Sequence, residues 1–155
     1  MKCHNQMLMR NENLNYLWTD AWLLLSIIVA DRGNGADLEG IIGAGDAINH
    51  AIFTAEEIQG GLHKLVRGGF VDEVRGRFKA SNKTKEEYEK RICRKRYLLV
   101  QLHLLDKFIG VIQADKRDKL PRSDNKFKYP GLTKDRIHIA YEAYRKKMEI
   151  LCRKS

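Results

Sequence analysis

The chain has 155 residues, a formal net charge of +9, 43 % hydrophobic residues, two prolines and three cysteines. That apolar share can build a core, so composition excludes global disorder, and the length fits one domain with an appended extension. Cys3, Cys93 and Cys152 are scattered and odd in number, which excludes a disulfide framework and points to a reducing cytoplasm.

In chain order, Met1 to Asn15 lacks the apolar stretch of a signal peptide. Leu17 to Asp31 is almost continuously apolar and predicts the first core helix. Its run Ala21 to Ala30 falls well short of the ~20 residues a bilayer span needs, so no membrane partner is expected. Asp31-Arg-Gly-Asn-Gly35 ends that helix, with two glycines free to take left-handed angles. Asp37 to Ile48 predicts a second helix that buries Leu38, Ile41, Ile42 and Ile48, and Asn49 to Phe53 a turn. Thr54-Ala-Glu-Glu57 has the capping-box form: a Thr hydroxyl for an orphan amide, and a Glu three residues on reaching back. The third helix follows, with Ile58, Leu62, Leu65 and Val66 at helical spacing, and stops at Gly68-Gly69. Phe70 to Val74 and Arg77 to Lys79 predict two short strands turned at Arg75-Gly76.

Thr84-Lys-Glu-Glu87 repeats the capping-box form and predicts a long helix reaching Ala114. Leu98, Leu102, Leu105, Ile109 and Ile112 repeat along it at 4-3-4-3 spacing, and Val100, Leu104, Phe108 and Val111 form a second apolar row. Two such rows need partners on two sides, which favours a homodimer seam. Asp115 to Leu132 is a basic loop holding both prolines. Thr133 predicts the cap of a last helix, striped by Ile137, Tyr141, Tyr144, Met148 and Leu151. The expected fold is therefore mainly α with a small β-hairpin, in residues 17–81, followed by a helical extension over 84–151.

Three helices followed by a small hairpin is the winged-helix plan. Thr54-Ala-Glu-Glu-Ile-Gln-Gly-Gly-Leu-His-Lys-Leu-Val-Arg-Gly-Gly-Phe-Val71 resembles the recognition helix and wing entry of bacterial winged-helix regulators. The ending Leu65-Val-Arg-Gly-Gly-Phe70 resembles a recurrent "leucine, two residues, basic, glycine, large apolar" ending of that superfamily, and Gly76-Arg-Phe-Lys-Ala-Ser81 resembles the return strand of the wing. The added helices resemble the dimerisation helices of such regulators. The resemblance implies a transcription regulator that binds duplex DNA as a homodimer, with the third helix in the major groove and the wing on the backbone. Carried over by position, Gln59, His63, Lys64 and Arg67 are the exposed reading positions, and Arg75, Arg77 and Lys79 the wing contacts.

Three features pull against that reading. Glu56 and Glu57 open the third helix where phosphates approach, and Gly60-Gly61 cost it stability, ~1 kcal/mol per glycine relative to alanine. Charge is also uneven. Met1 to Phe70 carries five cations against eight carboxylates, a net −3, whereas the remainder carries +12. This favours an alternative: a non-catalytic module on the same scaffold that binds a protein partner. Gly43-Ala-Gly-Asp46 resembles the anion-hole string of ribokinase-type sugar kinases. It sits inside a helix here, with no nucleotide-binding motif beside it and too short a chain for that fold. The five histidines have no structural-zinc spacing, and no nucleophile-and-base pattern is present, so neither a metal, a cofactor nor an enzymatic activity is expected.

Overall fold

A computed structural model describes residues 14–111 and 129–155. They are mainly helical, with one two-stranded antiparallel sheet. Helix α1 (Trp18–Ala30) is the axis of the core. Ala21 through Ile27 are all buried, as expected of a helix that is apolar on every side. It packs against α2 (Leu38–Asn49) and α3 (Ala55–Arg67), and later against the returning strand of the hairpin and α5 (Leu98–Ile109). Asp37 caps α2 by accepting from the Gly40 amide at 2.8 Å. Between α1 and α2 the Asp31 carboxylate accepts from Gly33 and Gly35 amides, both at 2.8 Å, and both glycines take positive φ.

The capping box of α3 is formed: Thr54 Oγ1 accepts from the Glu57 amide at 3.1 Å, and a Glu57 carboxylate oxygen accepts from the Thr54 amide at 2.8 Å. The connection before it is packed tightly. Phe53 stacks on Trp22 with ring centroids 3.7 Å apart, and the indole donates to the Gly45 carbonyl at 3.0 Å. A Cβ at Gly45 would collide with the Phe53 ring. Gly43 and Asp46 serve the packing of the last helix in the same way: Gly43 faces the Tyr144 ring, and the Tyr144 hydroxyl donates to Asp46 at 2.7 Å. Gly43, Gly45 and Asp46 of the string that drew attention in the sequence thus each have a place in the packing.

Strands β1 (Val71–Val74) and β2 (Arg77–Ala80) pair Val71 with Ala80 and Val74 with Arg77. Arg75 and Gly76 both have positive φ, 53° and 76°, the pattern of a two-residue type I′ turn whose twist suits the hairpin. Ala36 exchanges two backbone hydrogen bonds with Phe78, at 2.7 and 2.9 Å, tying the loop before α2 to the hairpin.

The single long helix expected from Thr84 to Ala114 is not formed. A short α4 (Asn82–Glu87) starts two residues before Thr84 and is capped by Ser81. The Thr84 hydroxyl instead donates to the Phe70 carbonyl at 2.9 Å, so the second capping box is absent. A π-helical turn (Tyr88–Ile92) follows, then a break, then α5 (Leu98–Ile109). Gln101 holds the break: it donates to the Lys95 carbonyl at 2.7 Å and accepts from the Tyr88 hydroxyl at 2.8 Å. The physical reason is geometric. Ile92 and the row Leu102, Leu105 and Ile109 all reach the same core, which a straight helix cannot arrange. That row packs inside its own chain on α1, while Leu104, Phe108 and Val111 are only partly buried. Ile112 and Ala114 lie outside the described residues, as does most of the basic loop.

Thr133 caps α6 (Lys134–Arg153) by accepting from the Arg136 amide at 3.2 Å. Its stripe covers α2 only in part. Ile137 is buried and Tyr141 and Tyr144 are half-buried, whereas Met148 and Leu151 are exposed.

Candidate nucleic-acid interface

The hairpin turn projects Arg75 into solvent, and Lys79 is exposed on β2 opposite Asp72. Arg67, at the last position of α3, is exposed as well. Beside it stands Lys83, which the sequence reading passed over. Its ammonium donates to the Gly68 carbonyl at 3.2 Å and lies 4.2 Å from the centre of the Phe70 ring. Arg77 is differently employed. Its Nε donates to the Gly35 carbonyl at 3.0 Å and a terminal nitrogen lies 3.9 Å from Asp37, so this guanidinium fastens the hairpin base to the loop before α2.

The expectation that α3 exposes Gln59, His63, Lys64 and Arg67 needs correction. Lys64 is 1 % exposed. Its ammonium forms a 2.5 Å ion pair with Asp20 of α1 and donates to the Asn15 carbonyl at 3.2 Å. Asp20 also accepts from the Leu17 amide at 2.7 Å, where it offsets the orphan donors of the α1 start. A charge this deep is retained because it is paired. The sequence held part of the signal: a lone carboxylate in an otherwise apolar helix calls for a partner, but sequence does not say which. Gln59 is 5 % exposed and donates to the Leu132 carbonyl at 2.8 Å. His63 is half-buried.

What covers Gln59 is a strap, the segment from Tyr129 to Lys134. Tyr129 packs edge-on against Phe78 of the hairpin and its hydroxyl donates to Glu73. Burial, with the Glu73 carboxylate second, pushes that phenol up to about 12. Leu132 is buried, and Lys134 pairs with Glu56 at 2.6 Å, which holds the Glu56 carboxyl below its ordinary range. The strap thus runs from the hairpin to the first turn of α3. It neutralises one of the two carboxylates that open that helix, and it occupies the outward side of the helix N-terminal half.

Elsewhere, a cleft of about 510 Å³ lies between α2, the hairpin base and α6. Its charges are largely matched, Lys147 with Glu39 at 2.6 Å and Arg77 near Asp37. Among the described residues no three His, Cys, Asp or Glu side chains converge as metal ligands, and no helix is long and apolar enough to cross a membrane. The chain matches no protein-family model, and no curated protein or solved structure is significantly similar to it.

Proposed function

We propose that this chain is a winged-helix protein of the bacterial regulator type, acting in the cytoplasm as a homodimer, that binds duplex DNA chiefly through phosphates. The observation that carries the reading is the hairpin. A type I′ turn presents Arg75, Lys79 follows on the return strand, and Arg67 with Lys83 gathers at the strand entry, all in a chain of net charge +9. Guanidinium and ammonium groups on a protruding ribbon meet phosphate oxygens without reading bases. With Gln59 and Lys64 internal, sequence readout through α3 is confined to His63 and Arg67, so affinity exceeds specificity.

The test is fluorescence anisotropy of a labelled random-sequence duplex across a salt series. Binding at low salt is expected, with log K falling linearly with log salt. Arg75→Ala and Lys79→Ala each lower the slope by roughly one and weaken all sequences alike. No binding at low salt overturns the proposal, and a loss confined to one sequence contradicts the phosphate role. The strap over α3 favours a second reading, a protein-binding module on the same scaffold. A stable protein partner together with no duplex affinity is the result that selects it.

A further inference from the structure

The break between α4 and α5 leaves a feature that neither the core nor the hairpin uses. Tyr97, Leu98, Leu99 and Val100 are 66, 38, 65 and 42 % exposed. They are consecutive: Tyr97 is the extended N-cap and Leu98, Leu99 and Val100 open the first turn of α5, where steps of about 100° spread their side chains around the helix start. The exposed apolar element is therefore the N-terminal tip of α5, a convex cap rather than a stripe or groove. Leu102, Leu105 and Ile109 bury the rest of that helix, which fixes the tip in place.

Arg94, Lys95 and Arg96 immediately precede the tip and are exposed, as is Lys90. Among the described residues none of these four pairs with a carboxylate; the nearby pairs use Lys85 with Glu89 and Arg91 with Glu87. From Lys90 to Leu105 the sequence holds no acidic residue. The guanidinium of Arg96 lies 5.9 Å from the centre of the Tyr97 ring. The helix start adds its own partial positive charge.

We propose that this tip docks on an anionic lipid surface. The aliphatic side chains enter the headgroup boundary, Tyr97 sits at its polar level, and Arg94, Lys95 and Arg96 meet acidic headgroups. Shape and charge select this occupant. A second copy brings the same cations face to face about a twofold axis. Nucleic acid satisfies the cations but gains nothing from Leu98, Leu99 and Val100, which have no stacking face. A convex apolar cap collared by exposed cations matches a yielding, negatively charged, apolar-backed plane. The described residues lie on the bilayer, since none of their helices is long and apolar enough to cross it.

The test is vesicle co-sedimentation of the full chain, with phosphatidylcholine alone against phosphatidylcholine containing roughly one-third phosphatidylglycerol, a fraction sufficient for a negative surface. Binding to the anionic vesicles alone is expected. Replacing Arg94, Lys95 and Arg96 together by Gln lowers partition roughly a hundredfold, about fivefold per cation. The pair L99S and V100S lowers it at least about tenfold with the cations intact. The control pair I139S and I150S, on exposed positions of α6, leaves it unchanged. These side chains are exposed, so the fold is retained, and circular dichroism verifies it. Three results overturn the proposal: no anionic-vesicle binding, binding indifferent to L99S and V100S (charge adsorption alone), or a dimer that those substitutions convert to monomer. Duplex affinity that survives L99S and V100S while vesicle binding falls separates this surface from the hairpin.

Discussion

Replacing Lys64 by Met distinguishes the two accounts of α3. The substitution keeps most of the apolar stem and removes the ammonium. Asp20 is then left charged at 3 % side-chain exposure, without the partner it meets at 2.5 Å. Removing one member of a buried pair costs about 3–5 kcal/mol. Against a total stability of about 5–15 kcal/mol this is a large fraction. With a urea slope of about 2 kcal/mol per molar, the denaturation midpoint falls by about 2 M. The combined variant with Asp20→Asn and Lys64→Met removes both charges and regains most of the loss, because no unpaired charge remains buried. Duplex affinity, measured under conditions where the variant is folded, is unchanged. The opposite pattern refutes the reasoning: a midpoint within a few tenths of a molar of the parent, together with a salt slope reduced by roughly one, makes Lys64 an exposed phosphate contact.

Asp106, at the end of α5, is 7 % exposed, and one of its carboxylate oxygens is buried with no hydrogen-bond partner among the described residues. Burial raises its pKa from 3.8 to about 6. The fold therefore favours the protonated acid: the associated stability is fully present below 3.8 and is lost as pH rises through about 6. Asp106→Asn should be the more stable protein at pH ~8, by up to about 3 kcal/mol, and the advantage should shrink toward pH ~4. Chemical denaturation at both pH values checks it, and an asparagine variant less stable at the higher pH contradicts it. Gly45→Ala should destabilise by about 1–3 kcal/mol despite alanine's better helix propensity, because the new Cβ meets the Phe53 ring that stacks on Trp22. Its thermal midpoint measures this. An unchanged midpoint means the stack yields without cost. Thr54→Ala should lose about 0.5–2 kcal/mol with the cap of α3, and an equal stability would place the cap outside the folded balance.

Local chemistry made much of the fold legible. The almost continuously apolar stretch from Leu17 to Asp31 is too long for an ordinary strand and reads as a buried helix. Thr54 with Glu57 marks a helix start because the two side chains satisfy amides within three residues of themselves. Arg75-Gly76 marks a tight turn because glycine readily takes positive φ there. Each of these signals is complete within a few residues. The exposed hairpin cations Arg75 and Lys79 were legible for the same reason: a four-residue strand with one buried face must present the other.

What tertiary structure alone decided was which polar residues face inward and where a long amphipathic segment breaks. On helical spacing Gln59 and Lys64 are as eligible for solvent as Arg67. Their fates turn on Leu132 and Asp20, 73 and 44 residues away in sequence. The helix expected beyond Thr84 failed similarly, since 4-3-4-3 spacing states that a face is apolar and not that its two halves meet one straight partner. Ile92 and Leu102 must both reach the α1 core, so the chain turns at Arg94 to Tyr97, and that turn exposes the α5 tip. Sequence marked the elements whose signals are local. Only the packed chain could settle burial, because desolvation and ion pairing depend on neighbours that sequence order does not reveal.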